Sequence, residues 1–156
     1  MKYTRLTREQ LEELHTEFIT FLATQSITGK EWAKIKINQS EIAEQQIDLF
    51  SDLIWEKVLG KAKFLESMSP DQLFLFELAD TEMNVIVVKI SEEHVDLTTS
   101  EGLQWLQDNI ASDSVEFFTA SKTYSGTKNA DIFELIKQGA EITEGALFKS
   151  MNDLIN

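Results

Sequence analysis

The sequence predicts an α+β fold, a small, mainly antiparallel sheet of three or four strands packed with about six helices. Apolar side chains recur at helical spacing through residues 8–59 and again near the C-terminal end. Between these regions, "QLFLFEL" (72–78) and "MNVIVVKI" (83–90) are β-branched and aromatic runs of strand length. One proline and six glycines in 156 residues leave little material for a linker, so one globular domain over residues 1–156 is expected.

Taken in order, Thr7 opens a Thr-x-x-Gln box, and Leu11, Leu14, Phe18, Phe21 and Leu22 follow at helical spacing, predicting a helix over 8–25. Thr28 with Glu31 starts a short second helix carrying Trp32 and Ile35. A long helix over 41–59 ends at Gly60, and "KAKFLESM" is read as a further turn or two before Pro70. The two strand-like runs, separated by "ADTE", form an antiparallel hairpin. Val85 to Val88 are apolar on both alternating faces, so the second strand is expected to be covered on both sides. "HVDLT" is a candidate third strand. Thr98 and Glu101 box the start of a helix over 99–110, and "SVEFFTAS" is a further strand. "NADIFELIKQG" is a helix with Asn129 as N-cap and Gly139 as its stop. Thr143 starts a last helix in "TEGALFKSMNDLI".

Composition narrows the function classes. Cysteine is absent, which removes disulfides, thiolate nucleophiles and cysteine zinc sites, and suits a cytoplasmic setting. No stretch has the apolar length of a signal peptide or of a bilayer-spanning helix. With 27 acidic and 14 basic side chains the net charge is −13, which opposes nucleic acid and anionic lipid. The charge is uneven, +1 over residues 1–37 and −14 over the rest. A basic protein or a second copy of the chain is therefore the partner to expect, with no nucleic acid and no membrane.

Short motifs offer catalysis without completing it. "TYSGTK" (123–128) contains both Tyr124-x-x-x-Lys128 and Ser125-x-x-Lys128. The first needs a glycine-rich cofactor turn and the second needs further hydrolase motifs, and neither is present. The loop is read as a turn at Ser125 and Gly126. Glu12 and His15 have a metal-ligand spacing, but carboxylate-bridged bundles need a second such pair. His15 is therefore read as half-buried against Leu11 and Phe18, and His94 as solvated. On a nuclease-like order of helix, three strands, helix and strand, Asp71, Glu77 and Lys89 are the candidate residues of a metal-dependent hydrolase. Val87 stands where that chemistry needs a carboxylate, so an inactive relative fits as well. No catalytic residue, metal ligand or cofactor is assigned.

Binding is the reading left. Glu44, Asp48, Asp52 and Glu56 recur every four residues, stacking carboxylates along one face of the long helix. Trp55 falls on that acidic face and Trp105 projects away from Leu103, Leu106 and Ile110, so each needs cover or a partner. These six residues form the candidate interaction face of a non-catalytic protein–protein interaction module. Finally, "YTRLTREQLEELHTEFITFLATQSITGKEW", "DLFSDLIWEKVL" and "DIFELIKQGAEIT" resemble segments of a family of small acidic bacterial proteins without assigned function. The resemblance implies a single bacterial domain and carries over no site residue.

Overall fold

The computed structural model describes residues Met1–Asn156, which divide into two compact units, Met1–Gly60 and Lys61–Asn156. The first unit is helical, with α1 (Arg8–Glu13), α2 (His15–Thr24), α3 (Gly29–Asn38) and most of α4 (Ser40–Lys61). Both expected capping boxes form, Thr7 with Gln10 and Thr28 with Glu31. The single helix expected over 8–25 is instead interrupted at Leu14 (φ −97°, ψ 23°), although Phe18 N–H still donates to Leu14 O at 2.9 Å. Leu6, Phe21, Leu22 and Phe50 form the core of this unit, with Leu11, Leu14, Phe18 and Trp32 packed against it. Phe50 meets Phe18 edge-on at 5.0 Å between ring centroids, an arrangement aromatic pairs favour. α4 runs one residue past Gly60, which does not stop it.

The second unit holds one antiparallel sheet of five strands, where the sequence predicts three or four. They are β1 (Phe64–Ser69), β2 (Gln72–Leu78), β3 (Glu82–Ile90), β4 (Val115–Thr123) and β5 (Glu141–Thr143), in the order β4-β3-β2-β1-β5. α5 (Ser100–Asp108) lies between β3 and β4 in the chain, α6 (Lys128–Lys137) between β4 and β5, and α7 (Ala146–Ile155) follows. The expected β2–β3 hairpin forms, pairing Leu73 with Val88 and Leu75 with Ile86. These four side chains lie on one face with Leu106 of α5 and with Phe148 and Met151 of α7, which makes the main core. On the other face α6 lies beside Phe76, Met83 and Val85. Val85 and Val87 are half-buried, so β3 is covered fully on one face and in part on the other.

One segment expected to be helical is a strand, and a short strand precedes the last helix where its start is expected. "KAKFLESM" has helical propensity, but β1 pairs along its whole length with β2, and buries Leu65 opposite Phe76. Tertiary pairing overrides a preference of a few tenths of a kcal/mol per residue. Glu141–Thr143 pairs with β1, so α7 starts at Ala146 and not at Thr143. Gly145 precedes it at φ +84°, where a Cβ would lie 2.4 Å from the Phe64 ring. "HVDLT" is not a strand. It is a turn segment whose Leu97 N–H donates to Pro70 O at 2.9 Å while its side chain fills the core. Two caps also move: Thr99, not Thr98, caps α5, and Thr127, not Asn129, caps α6. Gly139, at φ +111°, does follow the end of α6.

One pairing works against stability. Glu66 on β1 sits directly opposite Glu141 on β5. Burial, and next the Glu141 charge, push the Glu66 carboxyl above the usual range. A raised folded value means that ionised Glu66 costs stability at neutral pH, a cost that disappears as pH falls through that value. Glu66→Gln should therefore raise the free energy of unfolding at pH 7 by roughly 0.2–1 kcal/mol and change it little in acid. Urea titration at the two pH values checks this, and a destabilised variant at pH 7 would refute it.

Candidate interaction surfaces

The acidic face of α4 is engaged by the chain's own first residues. Arg5 Nε donates to Asp48 Oδ1 at 2.6 Å, and the backbone N–H groups of Lys2 and Tyr3 donate to the two Asp52 oxygens at 2.7 and 2.8 Å. Glu56 accepts from Lys2 Nζ and from the Tyr3 hydroxyl. The segment thus runs antiparallel to α4, meeting position 56 first and 48 last. Trp55 is half-buried beneath it, its indole N–H donating to Thr4 O at 2.9 Å and the Tyr3 ring 6.4 Å away. Anchoring is completed by Leu6, which is buried and donates its N–H to Ser51 Oγ at 3.0 Å. Ser51 is fully buried beside Phe50, a position that calls for a partner of this kind. Glu44, the fourth carboxylate, stays exposed.

Arg5 beside Asp48 holds that carboxyl below the usual range. Cations thus reach two of the four tandem acids, Asp48 and Glu56, which offsets part of the repulsion their spacing creates. Trp105 belongs to α5, in the second unit. It is half-buried against the main core of the second unit, and its carbonyl accepts from Asn109 Nδ2 at 2.8 Å.

The residues singled out for catalysis do not converge. Register and strand alternation put Glu77 and Lys89 on opposite faces of the sheet, with Lys89 opposite Gln72 and Glu77 opposite Asn84. Lys89 instead lies over the Phe118 ring, 6.0 Å from its centroid, and Glu77 accepts from Asn84 Nδ2 at 2.8 Å. Asp71 sits in the β1–β2 turn, its carboxylate accepting from Ser69 Oγ at 3.3 Å. No group of three or more His, Asp or Glu side chains is placed to hold a metal ion. His15 is exposed, contrary to the half-buried position expected, and Glu12 pairs with Arg8. His94 is exposed as expected.

In the "TYSGTK" loop the Tyr124 hydroxyl donates to Ala79 O at 2.7 Å, and burial, then Asp131 and Asp80, push its pKa up. That direction is opposite to the lowering a Tyr–Lys proton relay needs. Ser125 donates through N–H and Oγ to Asp131, at 2.7 and 2.8 Å, and makes no bond to Lys128. The loop is a turn that ties β4 to α6.

The sequence predicts β4 as a strand but not its place at the edge of the sheet. β4 ends the sheet, pairing with β3 alone, and residues 116–123 are all exposed. Phe117 and Phe118, on opposite faces, are 41% and 54% exposed, too much for core residues. Bond direction along this edge follows from the ladder. Ser91 N–H donates to Ser114 O at 2.9 Å, in the same register that pairs Ile86 with Thr119, so alternate residues 116, 118, 120 and 122 bond β3. Phe117, Thr119 and Ser121 therefore point their N–H and C=O groups outward. Beside them a groove of about 420 Å³ is lined by Asn84, Thr119, Ser121, Phe148, Asn152 and Asn156.

One family model, described as a family of unknown function (DUF6495), matches residues 1–156. The chain belongs to that family. No curated protein and no solved structure matches it. For this member of DUF6495, as for any chain, the absence of a helix long and apolar enough to cross a membrane bears on helical spans alone.

Two expectations concern the N-terminal segment. Ser51→Ala leaves the buried Leu6 N–H unpaired and should lower stability by about 1–2 kcal/mol. It should also speed hydrogen exchange at the Trp55 indole, and a normal indole rate would separate the segment from Ser51. Because the Asp48 carboxyl is held low, its contribution is present above the ordinary carboxylate range and lost as pH falls through the lowered value. The indole N–H resonance of Trp55 should hold its position from neutral pH to about pH 4 and move only below it. Movement at pH 5–6 would show that Asp48 does not secure the segment.

Proposed function

We propose that this DUF6495 protein is a non-catalytic protein–protein interaction module that binds by adding a strand at the outer edge of β4. The observation that carries this reading is the run of outward-facing backbone groups at Phe117, Thr119 and Ser121, flanked by two exposed phenylalanines. Backbone donors and acceptors give such an edge its affinity, and side chains on either face give it selectivity. The edge has no proline and one lysine, so little guards it against pairing.

The face of Glu44, Asp48, Asp52, Glu56 and Trp55 belongs to the same proposal as a second, closed surface. Its basic ligand is supplied in cis by Lys2 and Arg5, so a foreign basic protein would have to displace them. Trp105 belongs to the fold in this reading. A cytoplasmic setting suits a chain without cysteine and with this charge.

A photo-reactive phenylalanine analogue placed at position 117 or 121 tests the edge in cells that produce the protein. Adducts should form from these positions, should be lost in Thr119→Pro, and should be scarce from position 134 on α6. Proline at 119 removes an outward donor and leaves the β3 ladder intact. Equal yields from all three positions would overturn the reading.

A further inference from the structure

Resting on the strand-addition reading, we infer that the strand added to β4 is β4 of a second copy, antiparallel about a two-fold axis at Thr119. Three observations select this occupant and this register. First, the outward groups fall on odd-numbered residues, and a two-fold axis through Thr119 pairs Thr119 with itself, Phe117 with Ser121 and Val115 with Thr123. The N–H groups of Phe117, Thr119, Ser121 and Thr123 then meet acceptors of the other copy, while Val115 N–H stays bonded to Ser112 O at 3.1 Å within its own chain. A closed, isologous contact of this kind is the commonest symmetry of soluble oligomers.

Second, the register pairs the two charges on the strand. Glu116 of each copy lies directly opposite Lys122 of the other, so the strand is complementary to itself in charge. Moving the axis by one residue in either direction opposes Glu116 to Ala120 or to Tyr124 and loses both pairs. Third, the side chains fit. Phe118 of one copy arrives beside Ala120 of the other, large against small, on the face where Lys89 already covers the ring. Phe117 of the second copy arrives opposite Ser121, on the face and at the end of β4 where the groove lined by Asn84, Asn152 and Phe148 is open. The two sheets become one continuous sheet, and neither copy keeps an unpaired β4 edge.

Sedimentation velocity over a concentration series tests the inference with charge reversals on β4, each variant first checked for an unchanged fold because Glu116 also faces Lys89 of β3. The parent chain should show a monomer–dimer equilibrium. Glu116→Lys places lysine against lysine twice per dimer and should weaken association roughly ten-fold. Lys122→Glu should do the same through two glutamate pairs. Combining both reversals restores opposite charges in the same register and should recover the parent affinity. A chain that stays monomeric at every concentration would overturn the inference. So would a dimer indifferent to the single reversals, or one that the double reversal fails to rescue. If the chain is monomeric while adducts to another protein still form at position 117, the second copy is excluded and strand addition stands. If the adducts are absent too, both readings fall.

Discussion

Hydrogen-bonding direction alternates along a β-strand, and in residues 61–156 that alternation is set where β2 pairs with β3. Leu73, Leu75 and Val88 are fully buried and Ile86 nearly so, and they pair across the two strands on a single face. A slip of one residue would turn one strand's two core residues outward, at roughly 1.5–3 kcal/mol for each side chain exposed, so the register is held firmly. Once it is held, the odd-numbered residues of β3 bond β4 and the even-numbered ones bond β2. The same parity then passes across β4, so that Phe117, Thr119 and Ser121 are the residues facing away from the sheet. The chemistry of the outer edge thus follows from packing two strands away.

In the first unit the comparable constraint is electrostatic. Four carboxylates at four-residue spacing on α4 repel one another, and a tryptophan among them calls for cover. The segment Lys2–Arg5 supplies both, cations for Asp48 and Glu56 and a backbone acceptor for the Trp55 indole. Its ion pairs are largely exposed and contribute little individually. Buried Leu6 and its bond to Ser51 hold the segment in place, and the ion pairs fix its direction along the helix.

How much of this could be read from the amino-acid sequence depends on whether the signal is local. Capping boxes at Thr7 and Thr28, the β2–β3 hairpin and the stop at Gly139 are local, and each forms as expected. β1 is not local. Nothing in "KAKFLESM" disfavours a helix, and only pairing with β2 makes it a strand. The puzzle of Trp55 was legible as a tryptophan on an acidic face, and the excess of basic charge near the N-terminal end was legible too. Joining them requires knowing that residues 2–5 fold back along α4. "SVEFFTAS" reads as a strand from its residue types, yet its place at the edge depends on strand order, which residue types do not encode. The adjacent pair Phe117–Phe118 is the one trace, since two exposed faces of an edge strand are where consecutive aromatic side chains have no core to share.

The two ends of the sheet make the remaining point, because they are treated differently within one chain. β5 is three residues long and carries Glu141, and short, charged edge strands discourage pairing with other chains. β4 is nine residues long, with no proline and with both faces bearing an exposed phenylalanine. An edge left open at random would be an aggregation hazard, whereas one that is complementary to itself is consumed by a single closed contact. The net charge of −13 acts in the same direction. It repels copies that approach at arbitrary orientations. At physiological ionic strength, however, screening over about 8 Å confines that repulsion to short range. An approach that brings Glu116 to Lys122 twice would replace it with local attraction. Acidity and an unguarded edge are then compatible in one protein, since the first suppresses the encounters that the second would otherwise allow.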